Sequence, residues 1–158
     1  MSAGCAAPLL SGDAAASTPP LIWQQVERVG ILCLVASDDS DRDRLQAELC
    51  AKVRKIAAEK APMPVDTIGP GDPAVLRPQT VTLLVHASVQ DDSPSPLLAF
   101  TIRPFRNASD PMLFAAAPRA VALGGGRGSE ARVESALRAA LAETLPWLAA
   151  PAGPRPIR

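Results

Sequence analysis

The stretch from Val29 to Ala61, VGILCLVASDDSDRDRLQAELCAKVRKIAAEKA, decides the fold. It opens with Val29–Ala36, a continuous apolar run rich in β-branched and Leu residues, which predicts a strand buried on both faces. The polar residues 37–40 end that run. From Asp41 to Ala61 the apolar residues recur every three or four positions, which predicts an amphipathic helix. A buried strand followed directly by such a helix is typical of proteins that mix α and β structure.

The predicted helix has marked ends and one apolar face. Asp39 or Ser40 is expected to cap its free N-terminal amides, and Pro62 is expected to stop it. The apolar face consists of Leu45, Leu49, Val53, Ile56 and Ala57. Such a face has to be buried against another element, here the sheet that contains the preceding strand.

Alternating apolar residues predict two further strands, Thr80–Gln90 and Leu97–Phe105. Turn formers at residues 91–96 separate them, so an antiparallel hairpin is expected. Pro104 has no backbone donor, and the second strand should therefore end there or lie at an edge. Weaker patterns predict two short strands, Val65–Ile68 and Arg119–Leu123. Four apolar residues spaced four positions apart predict a second helix over Ser129–Leu145: Val133, Leu137, Leu141 and Leu145.

This element order predicts an α/β (α+β) fold. We expect a two-layer sandwich with a mixed or antiparallel sheet of about four strands and two helices on one face. The chain has 158 residues, which suits one core. Residues 1–22 are dominated by small residues and Pro and are predicted to be a flexible tether, residues 23–148 a single domain, and residues 149–158 a Pro-rich tail.

Charge and hydropathy exclude several classes of protein. Sixteen basic residues balance sixteen acidic ones, so the chain offers no net field to a nucleic acid or an anionic bilayer. No stretch approaches the roughly 18–20 apolar residues of a membrane-spanning helix. We therefore expect no nucleic-acid partner, and contact with a membrane only through a lipid anchor.

An acidic cluster is the first candidate site. Asp38, Asp39, Asp41 and Asp43 follow the first strand, where α/β sheets usually present their ligand crevice, and their carboxylates could hold a hard cation. Paired acids after an apolar strand are similar to the start of a response-regulator receiver, but that family also needs a later Lys and none follows Lys60. The alternative interpretation is that these acids cap a helix and solvate a loop.

A glycine-rich segment is the second candidate. Gly125, Gly126, Arg127, Gly128 and Ser129 precede the second predicted helix, where backbone amides and a helix dipole could hold an anion. Neither the dinucleotide nor the P-loop glycine spacing is met. The alternative is a flexible connector that ends in Ser129 as the helix N-cap.

The cysteines and the single histidine form no recognised catalytic or metal motif. Cys33 and Cys50 are expected to be small buried hydrophobes, or a disulfide if the chain reaches an oxidising compartment and their α-carbons lie within about 7 Å. His86 alternates with apolar residues of its strand and has no nucleophile at motif spacing. We predict no catalytic residue and no cofactor. Trp23 and Trp147 either pack the two ends of the domain together or serve as partner anchors.

Residues Ser2-Ala3-Gly4-Cys5 resemble the cleavage end of a bacterial lipoprotein signal, in which a small residue and Gly precede the Cys that receives lipid. The resemblance implies that Cys5 is a lipid-attachment residue. The alternative is a chance tripeptide in an Ala-rich segment. The element order after the tether, over about residues 26–148, resembles that of periplasmic α/β domains of envelope lipoproteins: the lipopolysaccharide-assembly lipoprotein and the curli-secretion or TolB N-terminal type.

The resemblance implies a non-catalytic accessory or scaffold domain, periplasmic or anchored to the outer membrane, that binds proteins of envelope assembly or transport. Two other hypotheses stay open. The chain could be a module that binds a metal, phosphate or small molecule at the acidic cluster or the glycine-rich segment. It could also be a cytoplasmic subunit of a larger complex.

Overall fold

The computed structural model describes residues 21–37, 40–90, 96–106, 116–124 and 127–149. The predicted tether and tail lie outside these ranges except for residues 21, 22 and 149. Cys5 also lies outside them. In chain order the strands and helices are β1 (Arg28–Ala36), α1 (Arg42–Ala57), β2 (Val65–Thr67), β3 (Thr80–Gln90), β4 (Leu97–Phe105), β5 (Arg119–Ala122) and α2 (Arg127–Thr144). Two short 3-10 turns add Leu21–Trp23 and Pro73–Leu76.

The strands form one mixed sheet in the order β2-β1-β3-β4-β5. β1 is parallel to both β2 and β3, and β3, β4 and β5 follow as antiparallel neighbours. The predicted mixed α/β class is confirmed. The sheet has five strands rather than about four, because both weak patterns, Val65–Ile68 and Arg119–Leu123, become edge strands.

Pro104 lies inside β4, which has strands on both sides. It pairs with Leu83 in the register of β3. Two residues earlier in β4, the carbonyl oxygen of Ile102 accepts a hydrogen bond from the Ala116 amide, on the side of β4 that faces away from β3. Backbone groups alternate along a strand, so Pro104 also faces that side, where β5 pairs with β4 only as far as Phe100. The missing donor of Pro104 therefore lies at a locally open edge, where it costs no ladder hydrogen bond.

One face of the sheet is covered by both helices. The odd-numbered residues of β1 and β3 are buried there, and Val29, Ile31, Val81, Leu83 and Val85 have no exposed surface. The predicted stripe of α2, Val133, Leu137, Leu141 and Leu145, is buried, and so are Leu49, Val53, Ile56 and Ala57 of α1. The core is therefore aliphatic, as a chain with 3% aromatic residues requires.

Both helices begin at residues other than the predicted caps. The N-cap of α1 is Asp41, not Asp39 or Ser40, and its side chain makes no capping hydrogen bond. α2 begins at Arg127, so Ser129 lies in its first turn and is not its N-cap. Part of the segment predicted as a connector is thus helical.

The two tryptophans pack the ends of the domain together. Their ring centroids are 5.3 Å apart in an edge-to-face arrangement. Trp23 is buried, and the Trp147 indole N–H donates to the Ala57 carbonyl oxygen at 2.9 Å. This contact ties the chain before β1 and the chain after α2 to the end of α1, so these rings are part of the core and are not free anchors.

The apolar stripe of α1 generates a direct test of the fold. We expect Leu49→Asp to lower the free energy of unfolding by about 3 kcal/mol or more, because Leu49 is 7% exposed and the new carboxylate would be buried without a partner. Ala51→Asp places the same side chain on the exposed face of α1 and should cost only about 0.5 kcal/mol of helix propensity. Urea denaturation of both variants makes the comparison, and equal losses would contradict the assigned stripe.

A second test concerns Thr82, which has no exposed surface and whose hydroxyl has no hydrogen-bond partner among the described residues. Thr82→Val keeps the branched shape and removes the unpaired hydroxyl, so unfolding should cost about 1 kcal/mol more. The matched control is Thr101→Val, which removes a hydroxyl that donates to the Ala116 carbonyl oxygen at 3.3 Å and should destabilise. Thermal melts of the two variants should move in opposite directions.

Candidate functional site

A concave site lies between the two helices at the carboxyl ends of β1 and β3. It is a cavity of about 280 Å³, which we call the interhelix pocket. Its walls come from both helices and from the sheet: Leu45, Glu48, Leu49, Lys52, Ser129, Glu130 and Val133, with Val35, Val89, Leu98 and Leu123.

The pocket exists because the helices are offset along their axes. Lys52, in the third turn of α1, meets Glu130, in the first turn of α2, and further along Glu59 meets Arg138. The first turns of α1 therefore extend past the start of α2. The pocket lies at that offset, with Ser129, Glu130 and Val133 of α2 forming one wall and apolar sheet residues forming its floor.

An ion pair closes one side of the pocket. Lys52 Nζ lies 2.5 Å from Glu130 Oε1 and donates a hydrogen bond to it. That hydrogen bond raises the pKa of Lys52 and lowers the pKa of Glu130, so both groups stay charged over a wider pH range than isolated side chains. The Lys52 side chain is one third exposed, and the Glu130 side chain two thirds. The pair bridges α1 and α2 at the rim of an otherwise apolar cavity.

A second ion-pair group holds the helices together away from the pocket. Arg138 donates to both carboxylate oxygens of Glu59 at 2.6 and 2.8 Å, and to Glu134 at 3.0 Å. The bidentate contact lowers the pKa of Glu59 and raises that of Arg138. Glu59 and Glu134 thus both form ion pairs with Arg138.

The second surface of interest is the sheet face that no described helix covers, which we call the open face. Strand alternation and register bring together on it Leu32, Leu34, Leu84, His86, Ala99, Thr101, Arg103 and Ala120. Leu34 is 39% exposed and sits beside His86. Near the start of β1 this side is covered, because Ile68 packs over Gly30 so closely that a Cβ there would lie 2.6 Å from Ile68 Cδ1.

The structure does not gather the predicted acidic cluster into a described metal site. Asp41 pairs with Arg44 at 2.7 Å, and Asp43 with Arg42 at 3.4 Å. Asp38 and Asp39 lie outside the described residues. Within the described ranges, no group of three or more His, Cys, Asp or Glu side chains could hold a metal ion.

The predicted anion site is described only in part. Gly125 and Gly126, together with the side chain of Arg127, lie outside the described residues. Gly128 and Ser129 belong to the first turn of α2, and Ser129 lines the interhelix pocket. Arg132, one turn later, donates to the Ala122 and Gly124 carbonyl oxygens, and so is engaged with the backbone that leads into α2.

Cys33 of β1 and Cys50 of α1 are joined by a disulfide in the structure. Their α-carbons are 5.8 Å apart, within the limit of about 7 Å that disulfide geometry allows. Both residues are buried, at 3% and 6% exposure. The bond ties the second half of β1 to α1, directly behind the Leu49 wall of the interhelix pocket.

The disulfide also lies beside an unpaired stretch of sheet edge. β2 pairs with β1 only from Val29 to Ile31, although β1 continues to Ala36. Beyond β2, the Val35 amide donates to Gln46 Oε1 of α1 at 3.1 Å. The Gln46 side chain of α1 thus accepts the hydrogen bond that a backbone carbonyl of a longer edge strand would otherwise accept. The residue types of Gln46 and Lys52 gave no sign of these roles, which depend on tertiary placement.

No protein-family model matches this chain, and no curated protein matches it. Among solved structures it is similar to the PelC dodecamer from Paraburkholderia phytofirmans, at 9% identity and a TM-score of 0.47 over 78% of this chain and 93% of that one. A variant of the same PelC gives 10% identity and 0.47, over 74% and 86% of the two chains. A putative neuraminyllactose-binding hemagglutinin homolog from Helicobacter pylori gives 8% identity and 0.36, over 78% and 88%. Likeness at these values supports no statement about function.

No helix in the described part of the chain is both long enough and apolar enough to cross a membrane.

The disulfide generates a stability test. It closes a loop with a sequence separation of 17 residues, so its loss should cost about 3 kcal/mol of unfolding free energy. The double variant Cys33→Ala/Cys50→Ala should unfold at lower denaturant than the oxidised wild type.

Dithiothreitol separates the covalent link from side-chain packing. It should destabilise the wild type and leave the double variant unchanged, because only the former has a bond to reduce. Identical denaturation curves for oxidised and reduced wild type would contradict a contribution of the bond to stability.

Proposed function

We propose that this chain is a non-catalytic accessory domain of the bacterial cell envelope, which is exported to an oxidising compartment and binds a protein partner through its open face. The open face is the single observation that carries the binding role. The envelope location rests on the disulfide and on the resemblance of the N-terminal Ser2–Cys5 segment to a lipoprotein cleavage site.

The open face has the composition of an interface more than that of a solvated sheet face. An antiparallel or mixed sheet with one wet face normally alternates apolar and polar residues. Here Leu32 and Leu34 of β1 and Leu84 of β3 lie side by side on the side away from the helices. His86 and Arg103 flank them with polar groups. An apolar centre with a polar surround is the arrangement of a protein-binding patch.

The disulfide favours an exported protein. Such bonds persist in the periplasm and outside cells, and are rare where thiols are kept reduced. The Cys33–Cys50 bond is buried and joins two core elements, so it suits a structural role more than transient redox chemistry. A lipid on Cys5 would then hold the domain at a membrane through residues 6–20.

The location is tested by trapping thiols in cells of the native host. Alkylation before lysis, followed by mass analysis, should find Cys33 and Cys50 bonded in the envelope fraction. Both thiols free in a cytosolic fraction would contradict export and would favour the hypothesis of a cytoplasmic complex subunit.

The binding role is tested by site-specific photo-crosslinking. A photo-reactive residue at Leu34, on the open face, should yield a discrete adduct with one protein, which the charge-introducing change Leu84→Glu abolishes. The matched position Ala51 is exposed on the helical side and should yield no adduct. Equal crosslinking at both positions, or an adduct insensitive to Leu84→Glu, would contradict an interface on the open face.

A further inference from the structure

We propose that the interhelix pocket is a binding site for a compact, uncharged apolar molecule, with the size of a fused aromatic ring pair or a short acyl segment. This site is separate from the open face and does not depend on the partner-binding role.

The size of the pocket sets the first limit on its occupant. Its volume is about 280 Å³. An apolar cavity of about 150 Å³ in a protein interior stays dry and takes up benzene. The interhelix pocket is nearly twice as large, and its volume is close to the lower limit of about 300 Å³ for sites that bind small molecules. A single compact molecule therefore fits, and a nucleotide or an oligosaccharide does not.

The walls set the chemical class. Seven of the eleven lining residues are aliphatic: Val35, Leu45, Leu49, Val89, Leu98, Leu123 and Val133. They belong to both helices, to β1, β3 and β4, and to Leu123, which follows β5. Because the walls come from so many elements, no single side-chain movement closes the cavity. Apolar walls of this kind gain free energy by excluding water in favour of an apolar guest.

The rim excludes a charged occupant. Among the described residues, the charged ones at the rim are Lys52, Glu130 and Glu48. Lys52 is bonded to Glu130 at 2.5 Å, and Glu48 lies 4.0 Å from Arg44 on the same helix. A ligand carboxylate would have to displace Glu130 from Lys52, and a ligand cation would have to displace Lys52 from Glu130. Because Lys52 and Glu130 are already paired with each other, an uncharged ligand is the one that leaves this ion pair intact.

The probe for the test is N-phenyl-1-naphthylamine, an uncharged fused-ring fluorophore whose emission rises in apolar surroundings. Titration of the folded domain should give saturable, one-to-one binding. Val133→Phe fills the pocket from the α2 side and should weaken binding by about tenfold or more. The matched control Ala51→Phe adds the same side chain on the exposed face of α1, away from the pocket, and should leave the affinity unchanged.

Competition then tests the chemical class. Octanol should displace the fluorophore, and octanoate at neutral pH should compete less well, since its carboxylate finds Lys52 occupied by Glu130. Stronger competition by octanoate would overturn the uncharged class. Non-saturable fluorescence would overturn the site, as would equal effects of Val133→Phe and Ala51→Phe.

If Val133→Phe does not fold, Leu123→Phe fills the same cavity from the sheet side. A melting temperature of the wild type that rises with the fluorophore, while that of the filled variant does not, supports the site. A rise of equal size in both would overturn it.

Discussion

The register of β1 against β3 is the constraint on which the rest of the structure depends. Nine consecutive residues of β1, Arg28–Ala36, pair in parallel with Thr80–Ser88. Odd-numbered side chains of both strands then face the helices and even-numbered ones face away. A slip of one residue would exchange the two sets, burying His86 and exposing Val85. Because the exchange would undo the whole aliphatic core, this register also fixes which side chains make the open face.

Both surfaces proposed for binding follow from that single arrangement. With two helices and five strands, the described elements cover one side of the sheet and leave the other with few neighbours. On the covered side the second helix begins opposite the third turn of the first, so the layer is incomplete at the carboxyl ends of β1 and β3. The open face is thus the side of the sheet that the described helices leave uncovered, and the interhelix pocket is a gap within the helical layer. Their shapes are the reason for proposing a protein partner at the first and a small guest at the second.

Local sequence patterns predict the limits of a strand well where turn-forming residues lie at both of its ends. β3 and β4 have the predicted limits, Thr80–Gln90 and Leu97–Phe105, because strict alternation is interrupted at each end. The start of α2 was predicted two residues too late, since Gly128 argued for a connector while its helical neighbours form the first turn. The site itself could not be predicted. The pocket arises from the axial offset of two helices, and the pairing of Lys52 with Glu130 spans 78 residues, which no local pattern records.

The placement of the disulfide explains how this incomplete layer stays in position. The pairing of β1 with β2 ends at Ile31, so the second half of β1 pairs with β3 on one side and, among the described residues, is contacted by α1 on the other. Two such contacts are specific: the Cys33–Cys50 bond and the hydrogen bond from the Val35 amide to Gln46. The hydrogen bond is made by the second turn of α1, ahead of the start of α2, and the disulfide by the third turn, where α2 begins. Between them these two contacts hold the part of α1 that carries Leu45 and Leu49, two walls of the interhelix pocket. One covalent link therefore contributes both to the stability of the domain and to the position of a pocket wall.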